Sequence, residues 1–98
     1  MTSQRPNDPK KRTFRLGNSM GLHARPASMM AQTVGRYSST VTVRPRDGGE
    51  AVNAGSVLGI LTLAVEPGAV LEFVAEGADA EEALDALEKL FNDNFGEK

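Results

Sequence analysis

Cysteine is absent from the 98 residues, which excludes a disulfide framework and thiolate metal ligation and fits a reducing compartment such as the cytoplasm. Histidine occurs once, and a lone imidazole among scattered carboxylates does not make a zinc site, so neither metal nor cofactor is expected. No glycine-rich nucleotide loop and no nucleophile turn of a Ser-His-Asp triad can be found. No segment approaches the ~20 apolar residues of a membrane span. The start, MTSQRPNDPKKR, is polar and basic with no apolar stretch behind it, so no membrane attachment or targeting segment is expected. Tyr37 is the only tyrosine and the arginines are dispersed. Nucleic-acid binding would call for a dense basic stripe with interleaved aromatics, and is not expected.

What is present fits one compact domain with a modest core, since 40% of the residues are hydrophobic. Residues 1–10, with Pro6 and Pro9 and almost no apolar side chain, read as a disordered basic N-terminal extension, leaving 11–98 as the single domain. The net charge of −2 hides an asymmetry: nine of eleven Lys and Arg precede Asp47, and eleven of thirteen Asp and Glu lie from Glu50 onward. A dipolar surface follows.

The hydrophobic periods order the elements. Lys11 to Leu16 alternates as a strand with Phe14 and Leu16 inward, and stops at the turn-forming Gly17-Asn18-Ser19. From Ala24 the spacing of Ala27, Met30, Ala31 and Val34 is that of one buried helix face. Pro26 fits its first turn, and Gly35 is placed to end it in a left-handed conformation. Ser39 to Arg44 and Glu50 to Asn53 form a hairpin around Pro45 to Gly49. Ser56 caps a short helix over Val57 to Leu63. After the Glu66-Pro67-Gly68 turn, Leu71, Phe73 and Ala75 alternate in a fourth strand. Asp79 with Glu82 forms the cap of a last helix, whose stripe is Ala80, Ala83, Leu84, Leu87 and Phe91. The order is βαββαβα. Half-polar strands with helices confined to one side make a two-layer α+β sandwich with one wet face.

His23 stands where Gly21-Leu22 leads into the first helix. A helix start offers unpaired N–H groups and partial positive charge, which would hold an anion attached to the ring. The same field disfavours imidazolium and favours a neutral, nucleophilic ring. Arg25 can turn its guanidinium toward a phosphoryl oxygen. Spacing alone favours the plainer alternative, His23 as a capping side chain and Arg25 as a surface residue.

The segment Gly21-Leu22-His23-Ala24-Arg25-Pro26-Ala27 resembles the phosphorylation site of HPr, the histidine phosphocarrier family of the sugar phosphotransferase system. Val52-Asn53-Ala54-Gly55-Ser56-Val57-Leu58-Gly59, Glu66-Pro67-Gly68 and Ala75-Glu76-Gly77 extend the resemblance from about Lys11 to Phe95. It implies an open-faced sandwich, with a four-stranded antiparallel sheet and three helices on one face. His23 would take a phosphoryl group from phosphorylated enzyme I and give it to an enzyme II component, as a carrier rather than an enzyme. Arg25 and the backbone at Ala24 would bind the phosphate. Ser56 aligns with the serine modified by an HPr kinase/phosphorylase, with Gly55 where lysine is frequent. Partners would dock on Ser28, Met29, Gln32, Val57 and Leu58 of a monomer. Arg25 and Arg36 would be the nearby cations, and Met20 replaces a common asparagine. The alternatives are a regulatory phosphoprotein of a nitrogen-linked or carbon-control branch, acting by protein binding, and a structural or small-ligand domain that shares only the fold.

Overall fold

The computed structural model describes residues 8–17 and 21–97. Strand β1 (Lys10–Arg15) leads to helix α1 (Ala24–Val34), strands β2 (Thr40–Pro45) and β3 (Val52–Asn53), and helix α2 (Val57–Leu61). Strand β4 (Val70–Glu76), helix α3 (Ala80–Asn92) and a 3₁₀ turn at Asn94–Gly96 complete the chain. The sheet runs β1-β4-β2-β3 with every pair antiparallel. Lys10, which the sequence reading placed in the extension, is the first residue of β1 and pairs with Ala75; residues 1–7 of that extension lie outside the described residues.

Alternation decides which face each strand buries. Phe14 lies opposite Leu71, Val43 opposite Phe73 and Val41 opposite Ala75. Because directly paired residues point to the same side of a sheet, these apolar side chains gather under the helices. Leu71, Phe73, Ala75, Val41 and Val43 are fully or almost fully buried there. Arg12, opposite Phe73, shares this face and reaches α3, with Nη1 2.8 Å from Asp85 and 2.9 Å from Glu88. On the other face Glu72 takes Arg44 at 2.9 Å and Lys11 at 3.6 Å.

The chain's four phenylalanines, drawn from β1, β4, α3 and the C-terminal turn, form one aromatic cluster. Phe14, Phe73 and Phe91 lie within 5.6 Å of one another by ring centroid, and Phe95 meets Phe91 edge-on at 4.9 Å. Offset and edge geometries are those aromatic pairs prefer. The C-terminal turn is thereby fixed to the core.

Several local expectations need correction. Gly35 is right-handed, φ −64°, because the chain keeps turning after α1: Arg36 and Tyr37 donate to the carbonyls of Thr33 and Val34. Ala31 is only half-buried, and Thr33 is buried instead. Strand β3 has two residues rather than four, and α2 ends at Leu61 rather than Leu63. Asp79 stands at the start of α3 but makes no side-chain cap bond. Its carboxylate instead accepts from the backbone N–H and hydroxyl of both Ser38 and Ser39. These bonds, Ser39 first, hold Asp79 down at a pKa of about 2, against 3.8 ordinarily.

Candidate functional site

The approach to α1 is shaped by Gly21. Its φ of +74° is left-handed, and a β-carbon there would stand 2.9 Å from the carbonyl oxygen of Val65. Only glycine lets the backbone pass so close to the loop before β4. Leu22, partly buried on the core, follows and presents His23 at the N-cap position of α1 with extended backbone, φ −110° and ψ −171°.

At that position a serine or aspartate would cap the helix, but the His23 side chain makes no cap hydrogen bond. The capping alternative therefore has no support in the geometry. The helix begins with few backbone donors to satisfy. Ala27 N–H donates to the His23 carbonyl at 3.1 Å, and Pro26 has no N–H. Ala24 and Arg25 are thus the first-turn residues whose N–H groups find no partner in the helix ladder. They adjoin the imidazole.

The His23 side chain is 32% exposed, yet its Nε2 is buried. That nitrogen lies 2.9 Å from Oε2 of Glu97. The two atoms are within ion-pair range but outside hydrogen-bond geometry, and among the described residues no other group bonds Nε2. Arg25 is exposed on the first turn of α1, and its Nη2 borders the C-terminal turn: a β-carbon on Gly96 would meet it at 3.7 Å. Two candidate side chains from one helix start thus lie beside Gly96 and Glu97.

Ser56 lies at the start of α2, partly buried, and its Oγ accepts the Gly59 N–H at 3.0 Å. The expected docking residues fall on the neighbouring helices α1 and α2. Leu58 is 78% exposed and Gln32 is exposed, while Ser28 is half-buried. Met29, which periodicity sets off the buried stripe, is partly buried against the core, as is Val57. Arg36 lies beyond the opposite end of α1 and donates to Thr33 Oγ1 at 3.3 Å, so it is not a cation beside His23. Met20 lies outside the described residues.

Glu97 and Gly96 are the site residues that sequence reasoning missed. Nothing in the local pattern of a polar chain end ties it to a histidine on the first helix; only the fold closes that distance. Among the described residues no three His, Asp or Glu side chains are grouped to hold a metal ion, and no helix is long and apolar enough to cross a membrane.

Comparison with known proteins bears on this arrangement. Residues 10–93 match the family model described as the PTS HPr component phosphorylation site. A phosphocarrier protein HPr of Treponema pallidum is 40% identical over 92 residues, covering 89% of this chain and 97% of that protein. A multiphosphoryl transfer protein of Vibrio cholerae is 44% identical over 86 residues, 87% of this chain but only 22% of that much longer protein. Among solved structures, an HPr from Thermoanaerobacter tengcongensis superposes with a TM-score of 0.83 at 43% identity, over 91% of this chain and 98% of that one. Fold, motif and likeness over nearly the whole length agree: the chain belongs to the HPr family of phosphotransferase-system phosphocarriers.

Proposed function

We propose that His23 is the residue that carries the phosphoryl group, taking it from phosphorylated enzyme I and giving it to an enzyme II component. The observation that carries this reading is a one-third-exposed imidazole at the start of α1 that makes no cap bond, with an exposed arginine two residues on. With Nε2 buried against Glu97, Nδ1 is the ring nitrogen left to attack phosphorus. The oxygens of the transferred group would then lie near the N–H groups of Ala24 and Arg25, where the partial positive charge of the helix start favours anions. Arg25 would close on them from the side, with the forked donor geometry suited to phosphate.

Docking would use the surface where α1 and α2 adjoin, with exposed Leu58 as its apolar centre and Ser28, Met29, Gln32 and Val57 around it. A small patch of this kind suits partners that must leave quickly. Ser56 borders the same patch. A phosphate from an HPr kinase/phosphorylase would add about −1.5 to −2 charge there and change what docks.

The test is incubation with enzyme I and phosphoenolpyruvate. An acid-labile phosphate that is absent from His23→Ala is the expected result. Acid-stable labelling, or labelling that survives the substitution, would overturn the reading.

A further inference from the structure

We infer that the open face of the sheet, the side turned away from the helices, is a second docking surface, and that its occupant is an acidic amphipathic helix of a partner protein. β4 runs between β1 and β2, and on that face it shows Val70, Glu72 and Val74, all only partly buried. Strand pairing sets Lys11 beside Val74 and Arg15 beside Val70 on one flank, and Arg44 beside Glu72 on the other. The Arg46 N–H bonds the Val70 carbonyl at 2.9 Å, which continues that second row. Because directly paired residues share a face, two rows of cations stand astride a strip with a valine at each end. Glu72 is held within the face, by Arg44 at 2.9 Å and Lys11 at 3.6 Å. The only other carboxylate of these three strands is Glu76, exposed at the end of β4. Four cations thus meet two carboxylates, which gives this face a positive excess.

The spacing selects the occupant. β1 and β2 flank β4 at about 4.7–4.9 Å each, so the two cation rows are roughly 9–10 Å apart at the backbone. An α-helix with its side chains is about 10–12 Å across. Laid along β4, such a helix would rest its apolar stripe on Val70 and Val74, about 13 Å apart along the strand. Carboxylates on its two flanks would reach Lys11 and Arg15 on one side and Arg44 and Arg46 on the other. An apolar centre with a polar, arginine-containing rim is the anatomy of a protein interface, and charges in a rim set partner choice and the rate of encounter. Other occupants fit less well. A nucleic-acid backbone would meet the Glu72 carboxylate at the centre, and Phe14 and Phe73, the aromatic residues of these strands, lie on the opposite face, leaving bases nothing to stack on. A second copy placed face to face would set cations against cations, and its α3 carboxylates Glu81, Asp85 and Glu88 are already engaged by Arg12.

The test titrates the full-length, nitrogen-15-labelled chain with a synthetic stapled helix whose leucine stripe is flanked on both sides by glutamates. The expected result is saturable shifts of backbone amides in β1, β4 and β2 and none in α1 or α2. Arg15→Glu/Arg46→Glu reverses one charge in each row and should weaken binding about tenfold. Thermal unfolding checks that this double variant is folded; if it is not, Arg46→Glu alone, at an exposed position just past β2, should still show a loss of about threefold. No shifts at about 1 mM peptide, shifts centred on Leu58, or unchanged affinity in a folded variant would overturn the inference. So would equal binding of the same helix with lysine in place of glutamate. Tighter binding of a single-stranded oligonucleotide to the same amides would make the face a polyanion surface, and their perturbation by self-association in sedimentation runs would make it a contact between copies; either result overturns the acidic-helix reading.

Discussion

Asp79 opens α3, yet its carboxylate bonds Ser39 of the segment leading into β2, through both the backbone N–H and the hydroxyl. With the matching pair of bonds from Ser38, one side chain joins the loop after α1 to the loop after β4. Gly77 makes room for this: a β-carbon there would stand 2.6 Å from the Ser39 hydroxyl oxygen. The bonds favour the ionised carboxylate, so its folded pKa of about 2 lies below the ordinary 3.8. A lowered folded value means that the contribution to stability is complete above the unfolded value and is lost as protons bind. Chemical denaturation from pH 7 downward should therefore show stability falling as pH drops from about 4 toward about 2. In Asp79→Asn that part of the acid dependence should flatten, and the midpoint at pH 7 should be lower. Parallel stability curves for the two proteins would show that the carboxylate does not tie these loops.

Gly21 allows a second prediction at the entrance to the site. Substitution by alanine forces a side chain into left-handed backbone and drives its β-carbon to 2.9 Å from the Val65 carbonyl oxygen. Strain of this kind costs roughly 1–3 kcal/mol. Urea unfolding of Gly21→Ala should show a loss in that range. Because relief would come from shifting the segment that presents His23, labelling by enzyme I should also slow. An alanine variant as stable as wild type would mean that the loop before β4 moves away without cost.

These features differ in how far the sequence discloses them. The stripe of α3 and the alternation of β4 are long and regular, and each lies within one continuous segment, so Leu84, Leu87, Phe73 and Ala75 could be placed in the core directly. The place of His23 at the start of α1 was legible for another reason: Ala24-Arg25-Pro26 opens a helical period right after it, a local pattern with a local physical meaning. Asp79 shows where that logic fails. Aspartate three residues before Glu82 has the pattern of a cap, but four donors from Ser38 and Ser39 compete for the same oxygens and win. Gly35 was misread because a glycine after a helix can end it in either hand, and the choice is made by the path to β2. Glu97 had no local signal at all, since its partner comes from the other end of the chain.

Ser56 offers a prediction that separates a structural role from a chemical one. Its Oγ is the acceptor for Gly59 N–H at the start of a five-residue helix. Ser56→Ala removes that bond and should cost about 1 kcal/mol, the usual effect of losing a cap. Thermal unfolding measures it. Labelling of His23 should be unaffected, because neither His23 nor Arg25 is bonded to Ser56. If the variant loses labelling in proportion to stability, α2 contributes to the transfer site and the separation drawn between the two serine roles is wrong.

Arg25 is the sharpest case, because its contribution to the folded protein and its contribution to transfer should come apart. It is exposed, and no hydrogen bond or ion pair of its guanidinium is found among the described residues. Removing an unpaired surface side chain changes stability by no more than about 0.5 kcal/mol. Its proposed partner, the phosphoryl oxygens, is present only during transfer. Loss of one pre-placed donor to a developing anion slows comparable reactions by about 10²-fold or more. Arg25→Ala should therefore melt with the wild type while accepting phosphate about a hundredfold more slowly. Arg25→Lys, which keeps the charge but not the forked geometry, should fall between the two. Equal rates for all three proteins in a rapid-quench assay would leave the helix-start amides of Ala24 and Arg25 as the phosphate's only hold.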